Sequence, residues 1–168
     1  MKIIPLVLLA VALSVSTAFH LCAADKPALS VLYFENLNPG TGTNFLTKAL
    51  AEMLVSDLTQ VRELTLIERD GLEKVLREME LGASGLVDEK SAPKIGKLVG
   101  ATHLLSGNFL ADDKGAVLVN YKILGVEGAQ ILGGGSVSGT KDNLIQLKDS
   151  LSASVYAALK KLFPALQG

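Results

Sequence analysis

One cysteine, Cys22, stands in the whole sequence, so no disulfide can form within the chain. Histidine is almost as scarce. There are two, and only His103 lies beyond the first 25 residues. From that point on, a zinc site of the usual Cys/His type cannot be assembled. Basic residues do not outnumber acidic ones, 16 against 17, so the electrostatic footprint of a nucleic-acid binder is missing and no nucleic-acid partner is expected. No later apolar run reaches about 18 residues, so no spanning helix is expected after the start.

The start itself has a recognisable pattern. Lys2 gives a short positive head, and residues 3–15 are apolar apart from Pro5 and Ser14. Small residues follow at Ala23 and Ala24. This is the layout of a secretory signal peptide. Cleavage after Ala24 places Cys22 and Ala24 at −3 and −1. The expected organisation is a signal peptide over residues 1–24, a short tether over 25–28, and one α/β domain over 29–168. Cys22 is also a candidate lipidation site, although Phe19, His20 and Leu21 are bulky where a lipobox carries small residues. A soluble exported chain and a lipid-anchored one therefore both stand as expectations. Only the anchored form would contact the membrane.

Residues 29–34 are a short apolar run rich in β-formers, which predicts a buried strand. Residues 35–43 hold Asn, Pro and two Gly, which predicts a loop. Leu46, Leu50, Met53, Leu54 and Leu58 then recur at helical spacing, with Thr43 or Asn44 as cap. Residues 64–67 predict a second strand. Asp70 and Glu73 form a D-x-x-E capping box ahead of Leu72, Val75, Leu76 and Met79, a second helical stripe. Gly82 to Gly85 breaks it. A third helix runs from Asp88 or Ser91 to Val99, with Pro93 in its first turn and Gly100 as stop. The period then falls to two. Residues 103–111, 116–126 and 129–139 predict three strands, and the short connections between them predict antiparallel hairpins. Leu144, Leu147, Leu151, Val155, Leu159 and Leu162 mark a last helix, ended by Pro164. The order β-α-β-α-α-β-β-β-α predicts a single α/β domain with a mixed sheet, its early strands parallel and its last three antiparallel.

The segment LNPGTGTNFLTKAL lies between a strand and a helix, where a phosphate-binding loop would sit. A Walker loop needs G-x-x-x-x-G-K-[ST], and no Gly-Lys-Ser/Thr follows Gly40. A dinucleotide fingerprint starting at Gly40 finds Gly42 but then Phe45 in place of the third glycine. Glu68 ends the second strand, where a ribose-binding acid would stand. A nucleotide- or small-ligand-binding module using Gly40, Gly42 and Glu68 is thus the alternative reading. A loop that needs a positive φ explains the glycines as well. Catalysis would have to rest on His103, set in ATHLLSG and better read as a satisfied strand residue. No G-x-S-x-G elbow exists, and Gly82-Ala83-Ser84-Gly85 has the wrong spacing. Asp70 reads as a cap and Arg69 as a surface ion-pair partner. Gly133-Gly134-Gly135, inside a strand, marks a bulge or a close backbone approach.

The pieces VLYFENLNPGTGTNFLTKALAEMLVSDLTQ, LTLIERDGLEKVLREMELGASGLVDEKSAPKIGKLVGATHLLSGNF and YKILGVEGAQIL occur in the order and spacing of one family. On them the chain resembles the curli-secretion (CsgG/HfaB) family over about residues 29–132. The resemblance implies an α/β domain like the N-terminal domain of TolB and the anticodon-binding fold. It implies an exported envelope protein without cofactor, not an enzyme, working through protein partners or self-association in secretion or assembly at the periplasm or outer membrane. The secretion channel builds its barrel from long inserted hairpins. The connection over residues 112–115 is too short to hold one, so a pore is not expected. The candidate interaction residues are Asn36, Asn38, Gly40 and Thr41 in the first loop, with Glu68 and Arg69.

Overall fold

The computed structural model describes residues 26–67 and 90–166. The strands are β1 (Ala28–Val31), β2 (Glu35–Asn36), β3 (Thr65–Leu66), β4 (His103–Ala111), β5 (Ala116–Gly125) and β6 (Gln130–Thr140). The helices are α1 (Leu46–Leu58), α2 (Ala92–Val99) and α3 (Leu144–Leu162), with one 3-10 turn at Pro39–Thr41. The helix expected over residues 70–79 and the glycines at 82 and 85 lie outside the described residues.

All six strands join one mixed sheet in the order β3-β1-β4-β5-β6, with β2 also beside β4. The pairs among β1, β2, β3 and β4 are parallel, and β4-β5-β6 is an antiparallel meander. This is the α/β domain with a mixed sheet that the sequence pattern predicts.

Among the described residues the sheet is covered unequally. The stripes Leu46, Leu50, Leu54, Leu58 of α1 and Leu147, Leu151, Val155, Leu159 of α3 are buried against Leu105, Phe109, Val117, Val119 and Ile123. Each such side chain contributes roughly 1.5–3 kcal/mol when taken out of water. On the other face α2 seals one end only, where Ala92 and Ile95 meet Leu32, Leu104, Leu124 and Val126. The helices end as the residues dictate. Pro93 lies in the first turn of α2, and Gly100 closes it in the left-handed conformation at φ 73°. Asn143 caps α3 by accepting from the Gln146 N–H at 3.2 Å.

Two expectations change. Residues 29–34 do not form one strand. Val31 is level with Leu105 but Glu35 is level with Asn108, so four steps along this chain match three along β4. The extra residue is a bulge. It breaks the alternation, so Tyr33 and Phe34 both enter the α1/α3 core while Leu32 enters the α2 core. The Phe34 N–H leaves the ladder and donates to the Thr47 carbonyl in α1 at 3.1 Å. Its ring lies where a side chain at Gly107 would be. The cap of α1 also differs. Phe45 holds the N-cap position with no side-chain bond, and the Asn44 side chain serves the loop before it instead.

A polar clasp ties the two helices on the covered face. Lys148 Nζ lies 3.0 Å from Asp57 Oδ2, and Ser152 Oγ donates to the same oxygen at 2.6 Å. The Ser152 hydrogen bond, followed by that of Lys148, holds the Asp57 carboxyl below its ordinary value of 3.8 against the opposing effect of burial. A depressed carboxylate stabilises the fold above its unfolded pKa, and that stability is lost as pH falls through the folded value.

We expect Gly107→Ala to lower unfolding stability by about 1–3 kcal/mol, read by chemical denaturation, because the new methyl meets the Phe34 ring. Asp57→Asn should flatten the acid side of the stability curve. Melting temperatures of the two proteins should converge as pH drops below the carboxylate range.

Candidate functional site

The loop after β2 is built by its own amides and hydroxyls. Asn36 Nδ2 donates to Asn44 Oδ1 at 2.7 Å and to Thr43 Oγ1 at 3.4 Å, while Asn36 Oδ1 accepts from the Asn38 N–H at 3.0 Å. Thr41 Oγ1 donates to the Asn38 carbonyl at 3.0 Å, which leaves Thr43 as donor across the 2.7 Å gap to Thr41 Oγ1. Asn38 Nδ2 reaches the Ala111 carbonyl at the end of β4, 3.1 Å away. Gly42 has φ 71° and supplies the left-handed turn. Gly40 carries no positive φ and is exposed.

The structure therefore brings Asn36, Asn38 and Thr41 together, but as scaffold. Most of their side-chain polar groups bond within the loop or to β4. Glu68 and Arg69, expected beside them, lie outside the described residues, as does Cys22. The Gly40-Gly42 segment forms a turn whose nearby hydroxyls are already bonded to one another.

Two large apolar residues of this segment face solvent. Leu37 is 50% exposed and Phe45 53%. The Leu37 N–H is fixed to the Phe109 carbonyl at 2.9 Å. At the same end of the sheet Leu110 and Leu118 sit directly opposite each other on the face that α2 leaves open, 46% and 41% exposed. Single exposed apolar residues are ordinary; these four lie toward the loop end of the sheet. Sequence reasoning missed all four. Leu37 was lost in a polar loop, Phe45 sat beside a helical stripe, and Leu110 and Leu118 shared strands with core residues.

His103 is structural in its surroundings. Its ring meets Phe163 edge-on at 4.8 Å, and Nδ1 lies 2.8 Å from Thr102 Oγ1. That hydroxyl also accepts from the Ala28 N–H at 2.9 Å and lies 3.1 Å from the Ala28 carbonyl. A proton on Nδ1 satisfies every partner at once, since Oγ1 then donates to Ala28. Burial holds the imidazole below its ordinary value. A cleft of about 310 Å³ opens beside it, lined by Thr102, Val126, Glu127 and Leu132 among others. Among the described residues no group of three or more His, Cys, Asp or Glu side chains gathers to hold a metal. No described helix is long and apolar enough to cross a membrane.

An α/β domain of this layering, with α1 and α3 on one face of a mixed sheet, is the fold of the TolB N-terminal and LpoB-type domains. The C-terminal domain of LpoB from Salmonella enterica superimposes with a TM-score of 0.54 at 19% identity, covering 70% of this chain and 84% of that one. TolB from Acinetobacter baumannii gives 0.53 at 14% identity over 81% of this chain, but only 29% of its own length. Lipoprotein GNA1162 from Neisseria meningitidis gives 0.51 at 13% identity, covering 77% and 96%. Identities this low show the fold alone. No curated protein sequence matches the chain. Residues 20–148 match the model of the family described as curli production assembly/transport component CsgG. The chain belongs to that family, and so to the proteins of the bacterial envelope.

Asn36→Ala should cost about 1 kcal/mol of global stability, since the deleted bonds are partly exposed. Its clearer mark should be faster hydrogen exchange at the amides of residues 38–44, with the sheet amides unchanged.

Proposed function

We propose that this chain is an exported, non-enzymatic assembly factor of the bacterial envelope that works by docking another envelope protein through the loop end of its sheet. The supporting observation is the hydrogen-bonded Asn36-Asn38-Thr41 loop, which holds Leu37 and Phe45 in solvent at the end of the sheet where Leu110 and Leu118 are exposed. Large apolar side chains held on fixed backbone lose little entropy when a partner covers them. Membership of the CsgG family supplies the envelope context. Residues 1–24 act as the export signal in this reading. Retained and lipidated at Cys22, the chain would be anchored. Cleaved after Ala24, it would be free in the periplasm. Asn36, Asn38, Gly40 and Thr41 contribute by fixing the loop, and Glu68 and Arg69 remain candidates for its rim.

Intact mass of the native protein from fractionated cells tests the export half. A chain shortened after Ala24, or one lipidated at Cys22, in the envelope fraction is expected. A full-length chain in the cytosol would sink the proposal. For the docking half, Leu37→Ser with Phe45→Ser should leave the melting temperature within a few degrees and abolish site-specific cross-linking from residue 110 to an envelope protein. Undiminished cross-linking in that variant would reject this surface.

A further inference from the structure

Among the described residues no strand pairs with the outer edge of β6, which runs for eleven residues, QILGGGSVSGT, without a charge or a proline. Its free backbone groups can be assigned. Lys141 donates its N–H to the Gly115 carbonyl, so that opposed pair is hydrogen-bonded and the pairs alternate from there. Gly133, Gly135, Val137 and Gly139 thus face β5. Gly134, Ser136, Ser138 and Thr140 direct their N–H and C=O groups away from β5 and, among the described residues, to no other strand; the Thr140 carbonyl also accepts from the Asn143 N–H at 3.2 Å. A register irregularity falls where β6 passes Ile123 and Leu124, leaving Leu132 as the extra residue and residues 133–140 regular. Proteins that must keep such an edge single place lysine or proline on it or twist it away. Here the regular part carries neither device.

We infer that this edge pairs with the same edge of a second copy, antiparallel about a twofold axis through Val137. An isologous contact requires one patch to complement itself. In the register that sets Gly134 opposite Thr140 and Ser136 opposite Ser138 of the other copy, every outward N–H meets an outward carbonyl, with Thr140 offering the second lone pair of an oxygen that already accepts from Asn143. The opposed side chains are hydrogen or hydroxyl-bearing, and hydroxyl pairs support each other across strands. The charges also fit. Lys122 lies beside Gly134 on the open face, and the absent side chain leaves its path to the edge clear. Lys161 flanks the same glycines from α3, in a groove of about 380 Å³. Asp142, exposed in the turn that follows Thr140, lies at the end of the edge that meets this basic end of the other copy. Neither lysine nor Asp142 has an ion-pair partner among the described residues. Lys141 packs over Gly115, away from the edge. The inference stands apart from the docking surface proposed above, which lies around Leu37 and Phe45.

The test is sedimentation velocity on the native protein purified from cells, over a concentration series, with Ser136→Pro beside it. The Ser136 N–H serves no bond among the described residues, so proline there should leave the fold intact and remove one link of the interface. The wild type is expected to reach twice the monomer mass, and Ser136→Pro to weaken that association at least about tenfold. Should Ser136→Pro fail to fold, Ser138→Lys takes its place, because that side chain is solvent-facing and the ladder to β5 is untouched. Asp142→Lys should also weaken the dimer, and Lys122→Asp in the same chain should restore it. A wild type that stays monomeric throughout overturns the inference and leaves the edge to a strand from another protein. An assembly indifferent to both edge variants overturns it too, by placing the interface elsewhere.

Discussion

The Phe34 ring over Gly107 is the contact on which the rest of the domain depends. A phenylalanine needs a floor without a side chain, and the one glycine in the middle of the central strand supplies it. The bulge that delivers the ring also turns the Phe34 amide to α1, so a single extra residue seats the first helix on the sheet. Beyond it the chain returns to β4 as β2, which brings Asn38 within reach of Ala111. The loop that carries Leu37 and Phe45 thus inherits its position from a packing event in the core. A fault at residue 107 would reach the candidate surface without touching it.

Much of the architecture was legible because the period of the apolar residues changes along the chain. The stripe of Leu46, Leu50, Leu54 and Leu58 defines a helix, and Val117, Val119, Tyr121 and Ile123 define one face of a strand. The bulge was hidden for a physical reason. When four consecutive residues are all apolar, as Val31, Leu32, Tyr33 and Phe34 are, alternation carries no information about which face each one takes. The triple glycine was half legible. It announced a close approach, and a side chain at Gly134 would indeed come within 2.7 Å of the Tyr121 carbonyl, while the irregularity itself falls at Leu132.

The first loop was legible as a cluster of polar groups, but not how those groups are bonded. Asn36, Asn38 and Thr41 are polar, and polarity in a loop suggests contact with something outside. A sequence shows that a group can donate or accept, never whether it already does. Here loop neighbours and the Ala111 carbonyl of β4 take up most of those groups. The apolar residues between them gain their meaning only when exposure is known. His103 was read correctly as a strand residue because one imidazole among apolar neighbours has little else to do. Its bond with Thr102 gives it the further task of closing β1 onto β4.

The parallel course of β1 and β2 gives the domain a head and a tail. The chain enters at Ala28, next to Thr102, and Phe163 at the close of α3 lies by His103 at that same end. The loop with Leu37 and Phe45 emerges some eight residues later, roughly 26 Å along the strands. Whatever holds the segment before residue 26 therefore holds the domain by its tail, and both chain ends leave from that pole. The loop points outward like the tip of a probe, at a standoff set by strand length.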